Sequence, residues 1–104
     1  MTVATIAGQE VHVDDEGFLT DPNDWNEALA ETLASNIGIE LVDAHWTAIS
    51  FARNDHAATG ETPTLRRMAS VGGISTKEMF ALFPKKSAKK LAYVAGLPKP
   101  VGCV

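Results

Sequence analysis

Hydrophobic and polar positions along the chain fall into two regimes. Val3 to Ile6, then Gly8, then Val11 and Val13 read as a small β-hairpin. Val11-His12-Val13 alternates, which puts His12 on the polar side of its strand. Asp15-Glu16-Gly17 is a turn, and Phe18-Leu19 after it forms a third short strand. From residue 21 the period lengthens to that of helices. Asp21-Pro22 opens the first, with aspartate as cap and proline in the first helical position. Trp25, Ala28, Leu29, Thr32 and Leu33 recur at helical spacing, and Asn36-Ile37-Gly38 ends the run.

Asp43 caps a second helix of about a dozen residues toward His56, with Trp46, Ile49, Ala52 and Arg53 as its stripe and Gly60 as its stop. Thr62-Pro63 opens a short third helix through Leu65 and Met68, closed by Gly72-Gly73. Ser75-Thr76-Lys77-Glu78 is a capping box for a fourth, which Pro84 breaks. Lys86 or Ser87 begins a fifth through Leu91, Tyr93 and Val94, with Gly96 as its closing residue. The expected fold is α+β. A short N-terminal β-meander (1–20) packs on about five helices (21–96), and a flexible C-terminal arm (97–104) follows, all within one domain of 1–104.

The chain has 104 residues, 45% of them hydrophobic, enough for one modest core. It has no apolar run of eighteen residues, so no transmembrane helix or membrane partner is expected. Its first residues lack a basic region and a long apolar stretch, so no signal peptide is expected. A single cysteine, which makes no internal disulfide, fits a reducing cytoplasm. The net charge of −4 hides a polarity: residues 1–62 hold twelve acidic residues and only Arg53, whereas residues 63–104 hold eight basic residues and only Glu78. Either the halves neutralise each other on packing, or the basic half faces an acidic partner or an RNA.

The basic half carries the cysteine. Cys103 is the second-to-last residue of Leu97-Pro98-Lys99-Pro100-Val101-Gly102-Cys103-Val104. Two prolines stiffen this stretch, and Gly102 leaves little bulk beside the sulfur. Fully extended it would reach roughly 20 Å. A thiolate is the reactive form, and lysines nearby favour it while a neighbouring carboxylate opposes it. With no fixed base beside it in sequence, Cys103 suits carrying a group to a partner better than acting alone.

The other candidates read as structure or as docking. His12, His45 and His56 share no short metal spacing, so no metal site and no cofactor are expected. His45 is placed at the edge of its helix beside Trp46, and Trp25 and Trp46 in the core. Lys85, Lys86, Lys89 and Lys90 form either a solvated helix face or a surface that docks a partner of the arm, with Lys99 nearby.

The residues Gly96 to Val104 closely resemble the C-terminal signature of the DsrC/TusE family, which includes the gamma subunit of dissimilatory sulfite reductase. The resemblance extends upstream through Asp14-Asp15-Glu16-Gly17-Phe18-Leu19, Asp24-Trp25, His45-Trp46, Thr62-Pro63 with Arg66, and Leu82-Phe83-Pro84 before Ala88-Lys89-Lys90. The family's respiratory members carry a second cysteine eleven positions before the penultimate one. Here that position is Ala92, and Val71 to Met79 is shorter than in those members. Both departures point to the single-cysteine, TusE-like branch. The resemblance implies that Cys103 accepts sulfane sulfur as a persulfide, from a TusBCD- or DsrEFH-like complex, and passes it toward a tRNA 2-thiouridylase. Arg66 carries over as a matched position.

Two readings of other classes stand beside this one. The third and fourth helices, joined by Gly72-Gly73, resemble a helix-turn-helix, with Arg66, Arg67 and Lys77 toward nucleic acid. The overall acidity and the single lysine of the would-be recognition helix speak against direct nucleic-acid binding. The third reading is a partner of a sulfite reductase that docks its arm without turnover.

Overall fold

The computed structural model describes residues 2–98. Strands β1 (Thr2–Ile6) and β2 (Gln9–Val13) form an antiparallel hairpin in which Val3 faces His12 and Ala4 faces Val11. Ala7 and Gly8, both at positive φ, make its two-residue turn. The expected third strand shrinks to a single bridge between Val13 and Leu19. Asp14 holds the chain too tightly for more, because its carboxylate accepts the backbone N–H groups of Glu16 and Phe18 at 2.9 and 3.0 Å.

The expected first helix splits in two. Asp21 accepts the N–H of Asn23 and starts a single 3₁₀ turn, Pro22–Asp24. Trp25 and Asn26 are extended, and Asn26 caps α1 (Glu27–Asn36) by accepting the N–H of Leu29 at 2.8 Å. The break frees Trp25 from the helical stripe. Helix α2 (Asp43–Thr59) is longer than expected, and its cap is Val42 rather than Asp43. His45 takes over part of the capping, since its Nδ1 accepts the Val42 N–H at 3.1 Å. Its Nε2 then donates to the Leu82 carbonyl at 2.8 Å, and its ring meets Phe83 edge-on. His45 is therefore a buried cross-link between α2 and the end of α4, and not a helix-edge residue.

Thr64, not Thr62, caps α3 (Leu65–Ser70), and Ser75 caps α4 (Thr76–Leu82) as expected, each through a side-chain oxygen. Helix α5 (Ser87–Ala95) begins at Ser87, whose buried hydroxyl donates to the Phe83 carbonyl at 2.6 Å. Two apolar clusters result. One lies under the hairpin, from Val11, Val13, Leu19, Leu29 and Leu33. The larger joins all five helices through Ala30, Ala34, Ala48, Ile49, Ala52, Met68, Met79, Phe83, Leu91 and Val94. Trp25 and Tyr93 pack against both, so the strands and the helices share one interior. Helix α5 runs through that interior with Ala88, Leu91, Ala92, Val94 and Ala95 buried, and this fixes where the chain leaves the body.

Candidate functional site

A helix leaves its last carbonyls without intrahelical partners. In α5 each of the last four is satisfied, two by backbone N–H groups of the residues that follow and two by side chains from distant parts of the chain. Gly96, at φ 70, turns the chain so that the Leu97 N–H donates back to the Ala92 carbonyl at 3.0 Å and the Gly96 N–H to Tyr93 at 3.4 Å. Trp25 Nε1 donates to the Val94 carbonyl at 2.9 Å. Arg53, on α2, donates through Nη1 to the Ala95 carbonyl at 2.7 Å and through Nη2 to the Pro22 carbonyl at 3.0 Å. Its guanidinium lies 4.1 Å over the Trp25 ring, a cation–π contact. Burial pushes the Arg53 pKa down, and the two carbonyls and the indole face offset that desolvation.

Gly96 also permits a close approach. A Cβ there would lie 2.4 Å from Trp25 Cδ1, so no side chain fits without moving the indole. Beyond it Leu97 is fully buried, and the Thr62 hydroxyl donates to the Pro98 carbonyl at 2.7 Å. The arm was expected to begin after Gly96. Instead the body holds the chain through Pro98. Cys103 and Lys99 lie outside the described residues. Cys103 lies five positions beyond this last held point, a span of at most about 17 Å.

Next to the held Pro98 is a cavity of about 240 Å³, lined by Asp55, Thr59, Glu61, Thr62, Pro63, Thr64 and Arg67. Arg67 closes one side with a bidentate pair to Asp55, Nε to Oδ2 and Nη2 to Oδ1, both 2.7 Å. This fork holds the nearly buried Asp55 carboxyl below its usual pKa range. The matched position Arg66 is exposed and takes no part in this pair. Of the three cations expected in a helix-turn-helix, Arg67 is thus tied to Asp55 and points its charge at a protein carboxylate.

The lysines gather elsewhere. Lys86, Lys89 and Lys90 line a cavity of about 370 Å³ with Glu16, Phe18, Ile37 and Tyr93. Tyr93 and Phe18 meet edge-on beneath it, with ring centroids 5.9 Å apart. Lys89 Nζ is 3.2 Å from Glu16 Oε2, and Lys90 Nζ donates to the Pro84 carbonyl. Lys85 and Lys86 are exposed, and both have left-handed backbone, with φ of 58 and 47. For residues with a Cβ such backbone costs about 1–2 kcal/mol each.

His12 Nδ1 is 3.2 Å from Asp24 Oδ2, and the His12 N–H donates to the same oxygen at 3.0 Å. The backbone bond first, then the ring bond, lowers the Asp24 pKa. Among the described residues no cluster of three or more histidines, aspartates or glutamates could hold a metal. None of the described helices is long and apolar enough to cross a membrane.

Sequence reasoning singled out the lysines, of which the structure gathers all around one cavity save Lys85, and Lys99, which lies outside the described residues. It missed Trp25, Arg53 and Thr62 as holders of the chain up to Pro98, and Asp55 with Arg67 beside it. Arg53 carried a signal, being the only basic residue among the first 62 and lying on an apolar helical stripe. The partners of Trp25 and Thr62 are 69 and 36 residues away, so local pattern shows neither.

The model of the DsrC family, described as DsrC like protein, matches residues 5–104. The sulfurtransferase TusE of Salmonella paratyphi A is 38% identical over 104 residues, covering 93% of this chain and 95% of its own. The solution structure of Allochromatium vinosum DsrC superposes with a TM-score of 0.83 at 35% identity, covering 99% of this chain and all of that one. A chain of the crystal structure of dissimilatory sulfite reductase I superposes with a TM-score of 0.84 at 33% identity, with coverage of 99% and 100%.

Proposed function

The chain belongs to the DsrC-like protein family, and from that premise we propose that it is a sulfur relay carrier with Cys103 as the persulfide-bearing residue. The observation that carries this reading is the pinned base of the arm. Three side chains from separate parts of the fold hold the chain up to Pro98, and the chain's only cysteine follows five residues later. A rigid body with a short tether suits delivery, since a tether confines the sulfur to a small volume around its anchor.

The chemistry is redox-neutral. The Cys103 thiolate attacks the outer sulfur of a donor persulfide. A new S–S bond forms to Cys103, the donor's S–S bond breaks, and the donor's inner sulfur leaves as a thiolate. The proton on the transferred sulfur travels with it. Release repeats the step with an acceptor thiolate attacking that outer sulfur and Cys103 leaving as thiolate. Ala92 stands where a second cysteine would be, fully buried in α5, so the chain itself offers no second thiol. Release waits for the acceptor.

On this reading the donor is a TusBCD- or DsrEFH-like complex and the acceptor a tRNA 2-thiouridylase-like enzyme, in a reducing cytoplasm that keeps the thiol free. No cofactor enters the step. Lys85, Lys86, Lys89, Lys90 and Lys99 belong to the docking surface, and Arg66 is an exposed contact for the same partners. The absence of a second thiol favours relay over a sulfite-reductase partnership. The test is Cys103→Ser. It should abolish sulfane transfer from donor to acceptor while leaving the circular dichroism spectrum and melting midpoint unchanged. Transfer at the wild-type rate by that variant would end the proposal.

A further inference from the structure

We propose that the cavity bounded by Lys86, Lys89 and Lys90 is the docking site for an acidic segment of the protein that exchanges sulfur with this chain, with one apolar side chain of that segment seated on Phe18, Ile37 and Tyr93. Two independent features carry this. One is the match of chemistry. The cavity, about 370 Å³, has an aromatic and aliphatic floor and three lysines around it, with Lys85 adjacent. An apolar side chain fills such a floor, and carboxylates beside it meet the lysines. Glu16 also lines the cavity but is paired with Lys89, and the apolar floor of Phe18, Ile37 and Tyr93 is what favours a protein segment over a phosphate backbone.

The other feature is where the lysines sit. Lys85 and Lys86 occupy consecutive left-handed positions, at which glycine or asparagine costs less. They also precede the first turn of α5, where the helix dipole disfavours positive charge. The fold would be better served by uncharged residues at both positions, so lysine there serves something other than stability. The location fits the relay. The cavity opens at the start of α5, and the pinned arm leaves from its end, nine residues or about 13 Å away. A partner held at one end of this helix lies within reach of a sulfur tethered at the other.

The inference rests on the relay reading for the identity of the partner, and its test reads docking separately from sulfur chemistry. The experiment titrates the full chain with a synthetic peptide, acetyl-Asp-Glu-Leu-Asp-Glu-amide, and follows backbone and side-chain resonances. The same titration with the leucine replaced by glycine, and with a single-stranded RNA oligonucleotide, supplies the comparison. The expected result is perturbation centred on Phe18, Ile37, Lys86, Lys89 and Tyr93. Binding should weaken several-fold without the leucine and steeply with added salt.

The doubly substituted chain Lys85→Asn/Lys86→Asn should bind at least tenfold more weakly yet melt roughly 5–10 °C higher, because relief of strain and docking pull in opposite directions. Its Cys103 should still load from inorganic polysulfide at the wild-type rate. Failure of loading in both chains would sink the relay reading and leave the docking result standing. Peptide perturbations elsewhere or none at all, preferential binding of the RNA at this cavity, or a double variant that melts lower would each overturn the docking site.

Discussion

At the scale of single residues, Gly96 is the most constrained position in the described chain. It combines left-handed backbone with an indole where a Cβ would go. Gly96→Ala should cost about 2 kcal/mol or more, from left-handed strain and the displacement of Trp25, read as a lower urea midpoint at unchanged slope. Asp55 gives a second residue-scale expectation. Its folded-state pKa is lowered, first by the hydrogen bond from Arg67 and then by that group's charge. Its contribution to stability is therefore complete above its unfolded pKa of about 3.9 and is lost as pH falls through the lower folded value. Urea midpoints from pH 7 down to 2.5 should fall more steeply below pH 4 for the wild type than for Asp55→Asn. Identical slopes would mean that the fork contributes nothing.

At the scale of elements, periodicity located all five helices, because each buries a stripe that recurs every three or four residues. Local chemistry placed the stops well, since Gly60, Pro84 and Gly96 act through their own backbones. It placed the starts less well. Asp21 does cap as expected, but the turn it starts is only three residues long, because Trp25 serves the end of α5 instead of continuing a helix. Asp43 lost its capping role to Val42 and His45 through a contact with Leu82, 37 residues from His45. The arm's base was illegible for the same reason, as its holders come from three parts of the chain. Thr62→Val should isolate the last of those holds. It removes one neutral hydrogen bond, so stability should fall by about 1 kcal/mol. Sulfane transfer to a protein acceptor should slow several-fold, while removal of the same sulfur by cyanide, which needs no positioning, should not change. Thr62→Ser should restore transfer. Equal slowing of both reactions would show that the hydroxyl does not act by placing the arm.

At the scale of the whole molecule, the division between an acidic first half and a basic second half was visible in the sequence, and the fold realises in part its reading as mutual neutralisation. Asp55 with Arg67 and Glu16 with Lys89 pair across the division, while Lys85 and Lys86 stay exposed. The exposed Glu16–Lys89 pair contributes little and the close Asp55–Arg67 fork is poorly screened, so raising salt from 0.05 to 0.5 M should change the unfolding free energy by less than about 1 kcal/mol. The body thus offers a stable frame, a basic cavity at one end of α5 and a fixed exit at the other.

The central claim is that the sulfur handled by this molecule is carried on Cys103. The most direct measurement is the intact mass of the purified chain after incubation with polysulfide, beside Cys103→Ser treated alike. A gain of about 32 Da on the wild type, reversed by reductant and missing from the variant, is the expected result. An equal gain on both chains, or none on a wild type whose thiol still alkylates, would contradict it.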